Sequence, residues 1–541
     1  MASPITNEHR EGKAVSQPVV RTEPLGGSHL SQSARTGQLP QWYRPIPRGS
    51  DEWRGHARDV AQSASATWFR DLEQAIEPTG AAAARLSRVA NGDGVVVTTG
   101  QQPGLFGGPL MTLVKAITAR ALADALEETL GLPVAPLFWA ATDDADFHEA
   151  AVVSVALDGG ARELRLEARS PAGTPMARIP IDHDIDHHVA VFREACGSGA
   201  HDVFLDDALR AYRDGATLGD AYVAVLRRVL EPLQMAVLDA SHPSVARAGA
   251  SLLRRAANNG DALAGVVRRR NDEISAAGFT PQVEEVPGLS LVFLNRDGTK
   301  RRLPLTEAAA LRELPSDQFL SATVLLRPVL ERALVPTAAY VGGPGEIAYF
   351  AQVSAVSDAL GVPTPLVVPR WSTTIVEPRV QRTLQRFDLS VEGFIDPHAV
   401  EGRVAREHLS PDAARALVDL RSRVASGIAS LDAASGGLLA NEVIEGLRRS
   451  LEHKLARVER RLLAAVKRRE TEIMHQLATA RGSLYPHGTR QERKLAFIPF
   501  LARYGPELVE QLRAAAGVHA RSIVSGAPVM ATSSAATPAS V

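Results

Sequence analysis

The sequence predicts an α/β chain, with a parallel-sheet core followed by a long helical segment. Three observations carry this. Short β-branched runs alternate with helical stretches over residues 39–396, two strand–helix–strand units share the same punctuation, and near residue 397 the pattern changes to sustained helical periodicity. Strand–helix–strand alternation implies parallel pairing and a sheet covered on both faces. The 541 residues allow about three units at roughly 150 residues each.

In chain order, residues 1–38 are rich in Ser, Thr, Gly, Gln and Arg and predict a disordered arm. Val95–Val97 is a buried-strand run, followed by a Gly-rich turn and a helix from about Pro109 to Leu130. Val134–Ala140 and Met235–Leu238 are further strands, and so are Ala338–Val341 and Pro365–Val368, the last two flanking a helix that runs to about Leu360. Residues 155–235 and 260–330 fit the sheet less well and read as insertions on a core spanning 39–396. Residues 397–523 read as a helical coiled-coil domain, and 524–541 as a disordered tail.

The repeated unit reads strand, Gly107-Gly108-Pro109, helix, Leu130-Gly131-Leu132-Pro133, strand. Its second copy runs through Gly342-Gly343-Pro344 and Leu360-Gly361-Val362-Pro363. Pro pre-sets the first helical φ and Gly closes the helix end. The pair reads either as two well-capped βαβ units or as two anion-binding loops facing one cleft, since helix N-termini offer free N–H groups.

In the helical domain, apolar residues fall at Ile444, Leu447, Leu451, Leu455, Val458, Leu462, Val466, Ile473 and Leu477, with Arg469 at an expected apolar place. That is an 11-residue repeat, which predicts a nearly straight helix over 438–480, with 404–432 as antiparallel partner. The segment reads as a helical hairpin or a dimerisation arm.

Composition excludes several function classes. Basic and acidic residues number 60 and 61, for a net charge of −1, which argues against a general nucleic-acid binder. Only six of the basic residues are Lys. A single cysteine, Cys196, rules out an internal disulfide or a multi-cysteine metal site and fits a reducing cytoplasm. There is no secretory signal and no apolar run of 18 residues, so neither export nor a membrane is expected.

Three stretches carry candidate chemistry. Thr98–Lys115 lies between a strand and a helix, where α/β proteins hold ligands, and matches neither a Walker A loop nor G-x-G-x-x-G. Helix geometry favours a solvent-facing Lys115 over one turned to the cleft. Phe138–Glu149 crowds Asp143, Asp144 and Asp146 at a strand end, suited to an amine, to water-bridged Mg²⁺, or simply to a helix N-cap. Arg327 to Tyr349 encloses Gly342-Gly343-Pro344-Gly345-Glu346, a ligand loop or a tight turn. His183 and His187 among Asp182, Asp184 and Asp186 read as a solvated polar turn, and no metal site is assigned. His-x-Gly-His and Lys-Met-Ser-Lys-Ser patterns are absent.

TGQQPGLFGGPL, FWAATDDADF, RPVLERALVPTAAYVGGPGEIAYFAQ, PRWSTTIVE and RQERKLAFIPFLARYG, in this order over about 95–510, resemble the bacillithiol-biosynthesis cysteine-adding enzyme (BshC) family. The resemblance implies a Rossmann-like core with connecting-peptide insertions and a C-terminal coiled coil that forms a homodimer. It implies a carbon–nitrogen ligase that joins cysteine to the amine of glucosaminyl-malate, or a related amine, with ATP and Mg²⁺. Carried over residue by residue, Asp144, Asp146 and Arg327 are catalytic. Gly100, Gln101, Gln102, Gly104, Gly108, Pro109, Gly342, Gly343, Gly345, Glu346, Tyr349 and Arg370 bind substrate. Gln491, Glu492 and Arg493 match a segment linked to adenine-nucleotide binding near the coiled coil. Two positions depart from the family pattern: Ala145 replaces a His between the two aspartates, and Thr323 replaces an Asn. The alternative reading is a non-catalytic, dimeric nucleotide- or metabolite-binding scaffold of the same fold. Activation of the cysteine carboxyl as an adenylate or as an acyl phosphate stays open.

Overall fold

The computed structural model describes residues 17–197, 201–309, 311 and 318–527. They divide into two units. The first comprises residues up to Val155, Glu163–Ile375 and the chain from Gln491 onward; the second comprises Ala156–Arg162 and Val376–Arg490.

The first unit is built on a five-stranded parallel sheet of β1 (Val95–Gln101), β2 (Val134–Ala140), β3 (Ala236–Asp239), β4 (Thr337–Gly342) and β5 (Val367–Pro369). The order is β5-β4-β1-β2-β3, so the chain winds outward from β1 to β3 and then resumes on the other side of β1. This reversal creates a crevice outside the C-terminal ends of β1 and β4, the place where open α/β sheets bind ligands. β1 and β2 are buried along almost their whole length, which is why they read as continuous apolar runs rather than alternating ones.

Helix α1 (Leu110–Leu130) follows β1, α2 (Pro243–Asn258) follows β3, and α3 (Pro344–Leu360) follows β4. α1 is apolar on nearly all sides because it lies between the sheet and a helix from the C-terminal segment, Ile498–Ser525. Gly131 and Gly361 close α1 and α3 in the left-handed conformation, at φ 66° and 60°. Within residues 260–330, a three-stranded antiparallel sheet of Leu289–Arg296, Thr299–Pro304 and Phe319–Ala322 packs on α2.

The N-terminal arm departs from expectation from residue 17 onward. Val19–Thr22 pairs with strand Thr373–Val376, and His29–Arg35 is a helix. Leu30, Leu39 and Trp42 are buried against Ile274, Ala348 and Ala351. Each such burial contributes about 2 kcal/mol, so three anchors and a strand pairing hold a segment whose average composition is polar. Residues 1–16 lie outside the described residues. At the other end, Val524 and Ser525 complete the last helix, and 528–541 lie outside the described residues.

The second unit is helical and begins at Val376 rather than near 397. Its core joins Val376, Phe387, Phe394 and Val404 to Ile473, Leu477 and Leu484. Pro411–Ser435 and Asn441–Arg469 form an antiparallel hairpin. The expected single helix over 438–480 is interrupted at Glu470 (ψ 52°), next to Arg469, where the apolar repeat fails. Arg469 turns instead to Glu470 and to the His408 carbonyl.

From Gln491 the chain packs with the first unit. Arg370 and Glu492, 1% and 3% exposed, form a two-pronged ion pair at 2.9 and 2.6 Å. Burial opposes the Glu492 charge, but Arg370, Ser372 and the Thr373 amide outweigh it and hold its pKa below the ordinary range. Glu492→Gln is expected to cost about 3–5 kcal/mol in denaturant unfolding, because it strands a buried guanidinium. The Arg370→Met/Glu492→Met pair should cost clearly less. The Glu492 contribution is present above its unfolded pKa near 4.5 and is lost as pH falls through the lower folded value, so the wild-type advantage over Glu492→Gln should shrink below about pH 4.5.

Candidate functional site

The crevice between β1 and β4 is organised by a side chain expected to face solvent. Lys115, two turns into α1, is 1% exposed. Its Nζ donates to the Gly100 carbonyl, to Gln101 Oε1 at 3.3 Å and to Glu346 Oε2 at 2.7 Å. A solvent-facing lysine needs a wet helix face, and α1 has none at that position. Glu346, on the first turn of α3, also accepts from the Tyr340 hydroxyl and from the Gly343 amide at 2.7 Å. Burial works against its charge, but Lys115 and these donors win and hold its pKa below the ordinary range. Burial likewise lowers the Lys115 pKa, offset in part by Glu346. The pair thus ties β1 and α1 to β4 and α3.

Arg327 reaches the same crevice from the start of helix Arg327–Leu334. Its guanidinium donates to the Tyr349 hydroxyl at 3.1 Å and lies over the Tyr340 ring, 5.9 Å from the centroid. A Cβ on Gly100 would stand 2.8 Å from the Trp139 carbonyl and 3.4 Å from Arg327 Nη1, so only glycine fits there. No carboxylate among the described residues pairs with Arg327 within 4.0 Å. Glu331, buried one turn on, accepts from Thr98, and burial pushes its carboxyl up to about 7 despite Arg327 nearby. Arg327 is therefore a sheltered cation whose described contacts are the Tyr349 hydroxyl and the Tyr340 ring.

The acidic turn closes the other side. Asp144 Oδ2 accepts from Gln102 Nε2 at 2.5 Å, and Oδ1 accepts from the Ala145 and Asp146 amides. Burial raises the Asp143 pKa, with Lys300 and Arg327 pulling it back in part. Asp146 is exposed and caps helix Phe147–Ala150 by accepting from the Glu149 amide at 3.2 Å.

The two glycine loops differ. In the first, the Tyr212 hydroxyl donates to the Gly104 carbonyl at 3.0 Å and accepts from the Gly107 amide at 3.1 Å. Phe106, at φ 52°, packs on Phe192 and Tyr212. Gly104 and Gly108 touch: a Cβ on Gly104 would meet the Gly108 Cα at 2.6 Å. Pro109 bridges Ala496, and the Leu110 amide donates to the Leu495 carbonyl at 2.7 Å, so the chain itself covers the N-terminus of α1. In the second loop, a Cβ on Gly345 would meet nothing within 4 Å, and the first-turn amides of Gly345 and Glu346 have no partner inside the helix. At the second helix start Gly27 lies against Pro344, while Gly345 is exposed.

The structure thus brings together Gly100, Gln101, Arg327, Gly342, Gly343, Gly345, Glu346 and Tyr349, with Gln102 and Asp144 at one edge. It does not bring in Asp146, or Gly104, Gly108 and Pro109, which shape the first loop. Arg370 is spent largely on Glu492, although its buried Nε has no partner and lies 3.6 Å from a Cβ built on Gly343. Gln491 and Glu492 are buried: Gln491 brackets Ile375 through its amide and carbonyl, so both side chains hold backbone where the sequence reading gave them a nucleotide. Arg493 is exposed. Sequence reasoning missed Lys115, Tyr340 and the Thr98–Glu331 pair. The signal for Lys115 was a rare lysine inside a helix with no polar face.

Of the minor signals, Asp182, His183 and Asp184 cluster within 4.8 Å, but Arg169 already pairs with both aspartates, and His187 takes no part. Thr323 accepts no ligand role: its hydroxyl donates to the Leu291 carbonyl at 2.8 Å.

A model of "Bacillithiol biosynthesis BshC, N-terminal Rossmann-like domain" matches residues 36–371, and the corresponding C-terminal coiled-coil model matches 373–521. The chain belongs to the BshC family. Relatives named "Putative cysteine ligase BshC" include one from Koribacter versatilis, 32% identical over 84% of this chain and 87% of its own length. Another, from Symbiobacterium thermophilum, is 30% identical over 91% and 96%. Between the two aspartates of this BshC-family chain stands Ala145, and the nearby His148 is exposed, its ring lying against Phe147.

Two outcomes follow from the buried charges. Lys115→Met should destabilise by about 3–5 kcal/mol in denaturant titration, with Lys115→Met/Glu346→Gln losing less, because the single change leaves a buried carboxylate. For Glu331, the folded pKa near 7 exceeds its ordinary 4.5, so its contribution is full below 4.5 and lost as pH rises through 7. Glu331→Gln should flatten that slope, worth up to about 3 kcal/mol, in melts recorded from pH 4.5 to 8.

Proposed function

We propose that this chain is an ATP-dependent ligase that joins the carboxyl group of cysteine to the amine of glucosaminyl-malate or a related amine. The observation that carries this is Arg327: a sheltered guanidinium without a carboxylate partner, at the sheet's switch point, between the open N-terminus of α3 and the Asp144 turn. The family supplies the reaction class, and this geometry supplies roles.

A carboxylate is a poor electrophile, and ATP with Mg²⁺ would supply its activation. The residues present fit that demand. Arg327, the free Nε of Arg370 and the α3 first-turn amides form a cluster of donors for carboxylate or phosphate oxygens. Such donors are worth most where charge develops in a water-poor site. Asp144, oriented by Gln102 and two backbone amides, holds the incoming ammonium group and accepts its proton as the amine attacks. Lys115 and Glu346 touch no substrate in this scheme; they fix the spacing of the two loops. The substrates are small molecules in this reading, and no helix among the described residues is long and apolar enough to cross a membrane. Cytoplasmic location follows from the reaction proposed.

The coiled-coil hairpin adds a homodimer to the proposal. Val418, Leu431, Leu438, Val443, Leu447 and Val458 are 36–91% exposed along it, an apolar stripe that a second copy would cover.

Incubation with ATP, cysteine and glucosaminyl-malate should give the amide by mass spectrometry, and a panel of other amines should rank below it. Absence of any amide with every amine, while a family relative turns over, would leave the scaffold alternative, which Ala145 favours. Asp144→Ala should lower turnover by about 100-fold or more, with the melting temperature within about 2 °C of wild type. Light scattering at micromolar concentration should give twice the chain mass, and Leu447→Glu/Val458→Glu should give the monomer. A wild-type monomer refutes the dimer.

A further inference from the structure

A cavity of about 870 Å³ opens beside the Asp143–Asp146 turn, walled by α2, by the turn between strands Leu289–Arg296 and Thr299–Pro304, and by the Pro175–Arg178 segment. That volume suits a ligand the size of a sugar conjugate. Its charge is lopsided. Arg296 pairs with Asp297 at 3.2 Å, and Asp143 faces Lys300 at 4.0 Å. Arg178, Arg247 and Arg254 also line the cavity, and none of them has a carboxylate within 4.0 Å among the described residues.

The three line one cavity from two elements. Arg247 and Arg254 are seven residues apart on α2, two turns, and so project from one face. Ala250 stands between them and opens a trough where a larger side chain would fill the space. Arg178 comes from the opposite wall, with Nη1 3.3 Å from a Cβ built on Gly298. Unpaired guanidinium groups brought together repel one another, and an anion with several negative oxygens relieves that repulsion. Guanidinium forks match carboxylates in bidentate geometry.

We infer that this cavity binds a small polycarboxylate. Resting on the ligase reading, it takes the dicarboxylate end of the amine acceptor, and the acceptor's amine reaches the adjoining Asp144. Phosphate groups share the dianionic chemistry. Carboxylate is the assignment because the free helix N-terminus and Arg327 lie at the other site.

The test is isothermal titration of the full chain with L-malate, glucosaminyl-malate, ATP and inorganic phosphate. The variants are Arg178→Ala and Arg247→Ala/Arg254→Ala. All three side chains are exposed, so melting temperatures should stay at the wild-type value. Glucosaminyl-malate affinity should fall at least tenfold in each variant and ATP affinity should not change. In turnover, KM for the acceptor should rise tenfold or more with kcat within twofold. Wild-type protein that binds neither malate nor its conjugate, unchanged conjugate affinity in the double variant, or loss of ATP or phosphate binding instead would each overturn the inference. If the conjugate binds and the variants lose it but no amide ever forms, the ligase reading fails and the cavity assignment stands.

Discussion

The ion pair between Lys115 and Glu346 is the constraint on which the crevice depends. It is made by one residue from each of two βα units that the chain separates by more than 200 positions, at the point where the sheet reverses its direction of winding. Removing two charges from water is costly, and mutual attraction repays it only when the remaining donors and acceptors are satisfied. Here they are: the Gly100 carbonyl and Gln101 complete the ammonium shell, while Tyr340 and Gly343 complete that of the carboxylate. The same contacts use up the groups nearest the sheet, and Arg327 is the neighbouring cation they leave without a carboxylate partner among the described residues. Paired and unpaired charge are thus divided between neighbouring side chains in one buried network.

That division explains why two loops of the same sequence pattern have different uses. Gly107-Gly108-Pro109 and Gly342-Gly343-Pro344 both end a strand and open a helix. The helix after the first has its leading amide taken by Leu495, and the loop itself is clasped by Tyr212. In the second, Gly27 lies against Pro344 and Gly345 stays exposed. A motif predicts backbone shape, because glycine and proline act locally. What covers that backbone is decided by segments hundreds of residues away.

The same distinction marks what could be read from the sequence. The five parallel strands and their helices were legible because β-branched runs and capping residues are local signals, and the 11-residue apolar repeat marked the helical hairpin. Asp144 and the glycines were found as members of motifs. Lys115 was misplaced because helix geometry alone does not say what covers a face, and Glu346, which pairs with it, lies 231 positions along the chain. The N-terminal segment was misjudged for a related reason: three anchoring residues, Leu30, Leu39 and Trp42, vanish in an average over a polar stretch. Arg370 and Glu492 were both picked out, but as ligands; that they satisfy each other is a fact of tertiary pairing across 122 positions.

The return of the chain at Gln491 has a consequence for synthesis. α1 packs against the sheet and against Ile498–Ser525, so its outer face has no cover until almost the last described residue is made. Domains tend to fold as units while the ribosome delivers them from the N-terminus. Here the second unit interrupts the first, and can mature while the first is still waiting. The core must keep an oily helix away from its neighbours for the time needed to translate well over a hundred further residues. At about 5–20 residues per second that is a matter of many seconds.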